Sequence, residues 1–226
     1  MEKILPLFYI NLFGYKFGIT STLITQWVII VIISLMSIIL TRNLKKVPDK
    51  KQTIMEIMLN SVRGLVNENM GPEFKKFVPY VGTLMIYLLL MNLMGLLGLK
   101  PPTLDLSLVA GIAVISFIVI QGYAIKKSGA THYLAGYGKP YLFLLPLNIL
   151  ERIMLPVSLS LRLFGNMTAA VLIMDLVYSA LSRVSSFAQL VIPIPFHIYF
   201  DLFDGTIQMF IFVMLTMINI KVISEH

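Results

Sequence analysis

The sequence predicts an all-α membrane protein with about five transmembrane helices, a cytoplasmic-surface amphipathic helix, and a last pair of helices long enough to lie obliquely. Three observations carry that prediction. Apolar residues make up 58% of the 226 residues and charged ones 13%, about half the charged share of soluble domains. Five apolar stretches reach the length a helix needs to cross the hydrocarbon core, roughly 20 residues. Basic residues gather in the short loops between them, so the net charge of +7 reports membrane orientation. A soluble chain of this size exposes too much surface to hide so much apolar side chain. The mean hydropathy of +0.86 therefore excludes an ordinary cytosolic enzyme, a disordered chain and a nucleic-acid binder.

The elements follow in order. Residues 1–51 hold an N-terminal segment and the first span, Thr22–Leu40. The first twenty residues lack the continuous apolar core and small-residue cleavage site of a signal peptide. Arg42, Lys45, Lys46, Lys50 and Lys51 make the following loop cytoplasmic. Residues 52–78 form the amphipathic element. Ile54, Ile57, Met58, Val62, Leu65, Val66 and Met70 recur at helical spacing, with Glu56, Asn60, Arg63 and Asn67 between them. Gly71-Pro72 stops this helix. Residues 79–126 form a hairpin of two spans, Pro79–Leu99 and Leu106–Ile125, turned outside the membrane at Pro101-Pro102. Lys126, Lys127 and Lys139 make the next loop cytoplasmic. Residues 127–226 hold the last two spans, Asn148–Leu181 and Phe187–Ile223. Both are over-long, so they must tilt or kink. Five spans place the N-terminus outside and the C-terminus inside. Trp27, Tyr9, Tyr80 and Tyr133 read as interfacial anchors, and the methionines as lipid-facing filler. No inverted repeat of the transporter kind is visible.

The chain has no cysteine, and its three histidines, His132, His197 and His226, show no metal-ligand spacing. No metal or cofactor is expected. The informative residues are the polar ones inside apolar segments, because a charge at mid-membrane costs about 2.5–3.5 kcal/mol on insertion scales. Arg162 is the sharpest. It does not give up its proton, and it sits too far inside the fourth span to reach either surface. Glu151, Leu155, Ser158, Arg162, Asn166 and Ala169 share one stripe of that helix. Gly165 and Ala170 lie beside it and permit close approach of a neighbour. The fifth span has a matching stripe of His197, Asp201, Asp204, Gln208 and Asn219. An imidazole, two carboxylates and an amide in line suit a hydrated ion path. Plainer readings stand beside these. Arg162 could pair with Asp201 or Asp204 inside a hairpin, His197 could be a solvated interfacial residue, and Asp204-Gly205 could mark a kink. Asp175, on the face opposite Arg162, reads as a solvated end residue or an outer-vestibule residue rather than part of the core path.

The run Pro156-Val-Ser-Leu-Ser-Leu-Arg-Leu-Phe-Gly-Asn-Met167 resembles the signature of subunit a of the F-type ATP synthase, bacterial type. Three further stretches resemble that family in order. They are Val62–Val66 with Phe77–Thr83, Asn92–Gly98 with Pro101–Leu106, and Gly205–Phe212. The resemblance implies a stator subunit of the rotary enzyme's membrane sector, itself non-catalytic. Two offset half-channels would pass H⁺ or Na⁺ to and from carboxylates of a rotating c-ring. Its partners would be the c-ring, subunit b of the peripheral stalk, the F1 sector indirectly, and the lipid of a bacterial plasma membrane. Arg162 matches the essential arginine facing the ring carboxylate. Asn166 matches the polar residue one turn on, Gln208 the glutamine that approaches the arginine, Asp201 an ionisable residue of the outer half-channel, and Asp105 the acid after the outer turn. Glu151, Ser158 and Asn148 would line the cytoplasmic half. Where some members carry an acid this chain has Val171, so the outer path would rest on Asp201, Asp204 and His197. Two alternatives remain open at this point: a stand-alone ion channel or secondary transporter, and a structural membrane subunit of another complex.

Overall fold

A computed structural model describes residues 8–12, 15–42, 44–129, 133, 143, 145–183 and 185–225. Most of the basic loop 126–139, with His132, lies outside the described residues, as do residues 1–7 and His226. The described chain begins with an element the sequence reading did not name. Strand β1 (Phe8–Leu12) pairs antiparallel with β2 (Tyr15–Ile19), Phe8 opposite Ile19 and Leu12 opposite Tyr15. The short alternation of aromatic, aliphatic and polar residues in Tyr9-Ile-Asn-Leu and Tyr15-Lys-Phe was the available signal. The rest is helical, and five helical segments are long and apolar enough to cross a membrane.

Helix α1 (Ser21–Thr41) starts at Thr20, whose hydroxyl accepts from the Leu23 amide at 3.4 Å. Only Thr22 and Ile29 are buried on it. A helix apolar on every side and barely covered by its own chain is one that faces lipid or other subunits. Helix α2 (Lys50–Asn69) is the amphipathic element. Its C-terminal half packs through Val66 and Met70, whereas Ile54, Ile57 and Met58 stay exposed. Gly71 ends it at φ 109°, a conformation that favours glycine.

A 3₁₀ turn over Pro72–Phe77 leads into α3 (Val78–Asn92), which tightens into a second 3₁₀ turn over Leu93–Leu97. Gly98 closes that turn in the left-handed region, at φ 70°. A third short turn, Pro102–Leu104, precedes α4 (Leu106–Ser128). Asp105 caps α4: its Oδ1 accepts from the Ser107 amide at 3.0 Å, and its Oδ2 accepts from the Thr22 hydroxyl at 3.3 Å. The turn between α3 and α4 is thereby tied to α1.

Helix α5 (Leu145–Ser182) has 38 residues. At 1.5 Å per residue it is about 57 Å long, against a hydrocarbon core of about 30 Å, so it must run obliquely. Pro156 lies inside it and deletes one helical hydrogen bond. The last span, Ala188–Ser224, is also over-long at 37 residues, but it is irregular along its length. It divides into α6 (Ser186–Val191), α7 (Pro193–His197), a π-helical stretch over Ile198–Asp204, and α8 (Gly205–Glu225). Pro193 and Pro195 lack the amide hydrogens a continuous helix would use. The kink suspected at Asp204-Gly205 is the end of the π stretch.

One core joins these elements. Leu159 and Leu163 of α5 and Met209, Phe212, Val213 and Met217 of α8 belong to the same buried cluster as Val109, Ile112 and Ile120 of α4. Two expectations need correction. Met70, Met91, Met167 and Met217 are fully buried, not lipid-facing; an unbranched thioether fills irregular gaps between helices of unequal tilt. Tyr80 is not an interfacial anchor, because its hydroxyl bonds Ser116 Oγ at 2.9 Å between α3 and α4.

Candidate functional site

The site is assembled by α5, the π stretch with α8, and the end of α3. The stripe on α5 takes a definite orientation. Leu159, Leu163, Met167, Ala170 and Met174 form its buried ridge. Glu151, Ser158, Arg162, Asn166 and Ala169 are all exposed on the outward side. The polar stripe therefore lies open along the flank of the chain. Among the described residues Arg162 has no ion pair. The reading that pairs it with Asp201 or Asp204 is not supported, since Asp201 bonds His197 and Asp204 faces Gln208. A guanidinium left without a carboxylate inside an apolar segment must face water, a carboxylate or a partner protein.

Arg162 and Gln208 border one small cleft, together with Leu159, Leu163 and Phe212. Gln208 is buried, and its Nε2 stands 3.5 Å from Asp204 Oδ1. The two stripes converge here, at the contact of α5 with α8. Asn219, further along α8, turns its amide back to the Leu215 carbonyl at 2.7 Å and belongs to the helix rather than to the cleft.

Asp201 is the most deeply buried of the carboxylates named above, at 5% exposure. It lies in the π stretch, a rare geometry that is frequent at functional sites. His197 Nδ1 stands 2.6 Å from Asp201 Oδ2, and His197 Nε2 stands 3.0 Å from the Tyr178 hydroxyl. His197 is therefore not merely a solvated interfacial residue. Gly95, in the turn after α3, supplies the wall beneath Asp201. A Cβ there would fall 2.6 Å from Asp201 Oδ1, so only a bare Cα admits the carboxylate. Asn92 lies one turn along and is completely buried. Its Nδ2 donates to the Gly205 carbonyl at 2.8 Å, while its Oδ1 has no donor among the described residues.

Three positioning residues were thus given no site role in the sequence reading: Tyr178, and Asn92 and Gly95, which entered only as part of the Asn92–Gly98 stretch. Asn92 carried a signal, being an amide inside an apolar span. Tyr178 and Gly95 carried none, since their part depends on contacts across elements. Asp105 sits apart from this cluster, both its oxygens engaged in capping α4 and tying α1. Asp175 is exposed on α5.

The family described as ATP synthase A chain matches residues 23–221. ATP synthase subunit a of Moorella thermoacetica is 36% identical over 199 residues, covering 88% of each chain. The sodium ion specific ATP synthase subunit a of Propionigenium modestum is 31% identical, covering 92% of this chain and 75% of its own. ATP synthase subunit a of Listeria monocytogenes is 33% identical, with both chains covered in full.

Proposed function

The chain belongs to the ATP synthase A chain family, and on that premise we propose that it works as the ion-conducting stator of the enzyme's membrane sector. It is a multi-pass integral membrane protein. The observation that carries the reading is Arg162, exposed on the open flank of α5 without an ion pair among the described residues. A cation so placed calls for a partner that brings its own carboxylate, as the ring of c subunits would.

The mechanism follows from charge. An ion, H⁺ or Na⁺, enters from outside along the His197, Asp201 and Asp204 line and neutralises a ring carboxylate. A neutral carboxyl group can enter lipid, whereas a carboxylate cannot. After almost a full turn the carboxyl reaches the other half-path, lined by Glu151 and Ser158 with Asn148, and releases its ion. Arg162 holds the emptied carboxylate ionised, because a nearby cation favours the charged form. It also repels cations, which keeps the two half-paths from joining. Asn166 and Gln208 offer neutral hydrogen-bonding groups on either side of it. Each unit charge that crosses 100 mV supplies about 2.3 kcal/mol. This chain then performs no bond chemistry; its membrane-sector work is transfer and coupling. The basic residues after the first and third spans support a cytoplasmic C-terminus in a bacterial cell, and the exposed apolar residues of α1 and α2 would suit contact with subunit b.

Co-purification from the native membrane in mild detergent tests the reading. Recovery with a proteolipid ring and an ATP-hydrolysing head supports it. Recovery alone, as a homo-oligomer that conducts ions unaided, would make Arg162 a gate and the chain a channel.

A further inference from the structure

Helices α1, α3 and α4 line a cavity of about 410 Å³. It is open along one side, where Ile30, Thr83, Gly111 and Ile115 are exposed on its rim. We propose that this slot holds one acyl chain of an outer-leaflet phospholipid, and that the chain fastens α1 to the α3–α4 hairpin. This goes beyond the stator reading, since it needs only a chain that spans a membrane.

The slot exists because side chains are missing from its wall. Gly111 lies on it, and a Cβ there would meet nothing within 4 Å. The polar groups of the wall ask for no ligand. The Tyr80 hydroxyl donates to Ser116 Oγ at 2.9 Å, that of Thr83 to the Pro79 carbonyl at 2.8 Å, and that of Ser107 to Asp105 Oδ1 at 2.5 Å. The Tyr87 hydroxyl is buried beside Gln26 and does not open into the slot. The remaining wall is aliphatic, with Ile30, Leu84, Leu108, Ile112 and Ile115. An apolar cavity stays dry and takes up hydrocarbon. Left empty, it would forfeit the dispersion contacts of every atom that lines it.

Depth and width select the occupant. Along α4 the slot runs from Ser107, next to the start of the helix, to Ser116. At 1.5 Å per residue that is about 14 Å, close to one leaflet of a hydrocarbon core about 30 Å thick. Lys126 and Lys127 at the other end of α4 mark the cytoplasmic side, so the leaflet is the outer one. A volume of about 410 Å³ over about 14 Å leaves a section of about 30 Å². A helix about 10 Å across takes about 80 Å² and does not enter. Nor does so narrow a slot offer the roughly 800 Å² per partner of a stable protein interface. A single hydrocarbon chain fits both dimensions. Its effect falls on α1, which the rest of the chain covers only at Thr22 and Ile29, while Gln26 and Ile30 border the slot.

The test uses the intact complex in liposomes of phosphatidylethanolamine and phosphatidylglycerol. Part of the phosphatidylglycerol carries a diazirine on one chain, placed near the glycerol, midway, or near the methyl end. After irradiation, mass spectrometry of peptides locates the adducts. The slot predicts an ordered set: Ser107 and Leu108 with the first probe, Gly111 and Ile112 with the second, Ile115 and Tyr80 with the third. Ile38 and Ile39, exposed on α1 outside the slot, give the background of passing lipid. Gly111→Phe fills the slot and should bring its adducts down to that background. Gly122→Phe, outside the slot and with open space at its Cβ, should leave them unchanged. Should Gly111→Phe fail to assemble, the order of adducts in the unaltered complex decides alone. Slot adducts no stronger than those at Ile38 and Ile39, or unchanged in Gly111→Phe, would overturn the proposal. The reverse order would overturn the outer-leaflet source. In complex made with photo-leucine, an adduct of Leu108 with another subunit would show that protein, not lipid, covers the slot. None of these readouts involves ion movement, so their failure leaves the stator reading standing.

Discussion

Replacing Gly95 by alanine probes the site at its tightest point. The added Cβ would stand 2.6 Å from Asp201 Oδ1, 2.8 Å from Cγ and 3.0 Å from Oδ2. Ordinary contact begins near 3.4 Å, so the closest carboxylate atom must retreat about 0.8 Å (3.4 less 2.6). Asp201 is only 5% exposed and has little space for that movement. Overpacking of this kind costs about 1–3 kcal/mol. Loss of the charge-assisted His197 contact adds about 1.5–3 kcal/mol where the pair is broken outright. The first cost falls on stability, and the second on the ion path. Gly95→Ala should therefore reduce passive ion conductance of the assembled membrane sector by about ten-fold or more. Gly165→Ala is the control, because a Cβ there meets nothing within 4 Å in this chain. Both variants are assayed in liposomes after the complex yield has been equalised. Gly95→Ala with the conductance of the unaltered protein would show that the position of Asp201 does not limit ion flow.

Other substitutions separate path from scaffold. Asp201→Asn should slow ATP-driven ion uptake by at least about ten-fold, while Asp175→Asn, exposed on α5, leaves it within about two-fold; equal effects would mean the His197–Asp201 line is not the route. Asp105→Ala deletes the α4 cap and the tie to Thr22. It should lower thermal stability by about 1 kcal/mol with ion flow retained, and loss of flow at normal stability would place Asp105 on the path. Asn92→Ala strips the Gly205 carbonyl of its buried donor, a cost of about 1–3 kcal/mol, read as a drop in the unfolding temperature of the complex.

Much of this was legible in the sequence because a membrane punishes polar groups. Arg162, Asp201, Asp204 and Gln208 stand out of apolar runs on that ground alone, and the helical period placed them in two stripes. The boundaries of α1, α2 and α4 also followed, within a few residues, from apolar length and from Gly71-Pro72. Periodicity could not show which way the α5 stripe faces, since an open flank and a buried one repeat at the same spacing. Nor could it show the irregularity of the last span. Summing 100° per residue from His197 to Asn219 assumes one continuous α-helix, and the π stretch at Ile198–Asp204 shifts that count. Gly95 and Tyr178 stayed silent because their contacts reach across about a hundred and about twenty residues of chain, by structure rather than by pattern.

The central claim is that Arg162 acts on a carboxylate supplied by a partner, across the open flank of α5. Arg162→Ala in the native complex tests it most directly, with ATP hydrolysis, complex composition and ATP-driven ion uptake measured on the same preparation. The exposed side chain makes no ion pair among the described residues, so the complex should assemble in full while coupled pumping is lost. Pumping retained at the unaltered rate in a fully assembled Arg162→Ala complex would contradict the account.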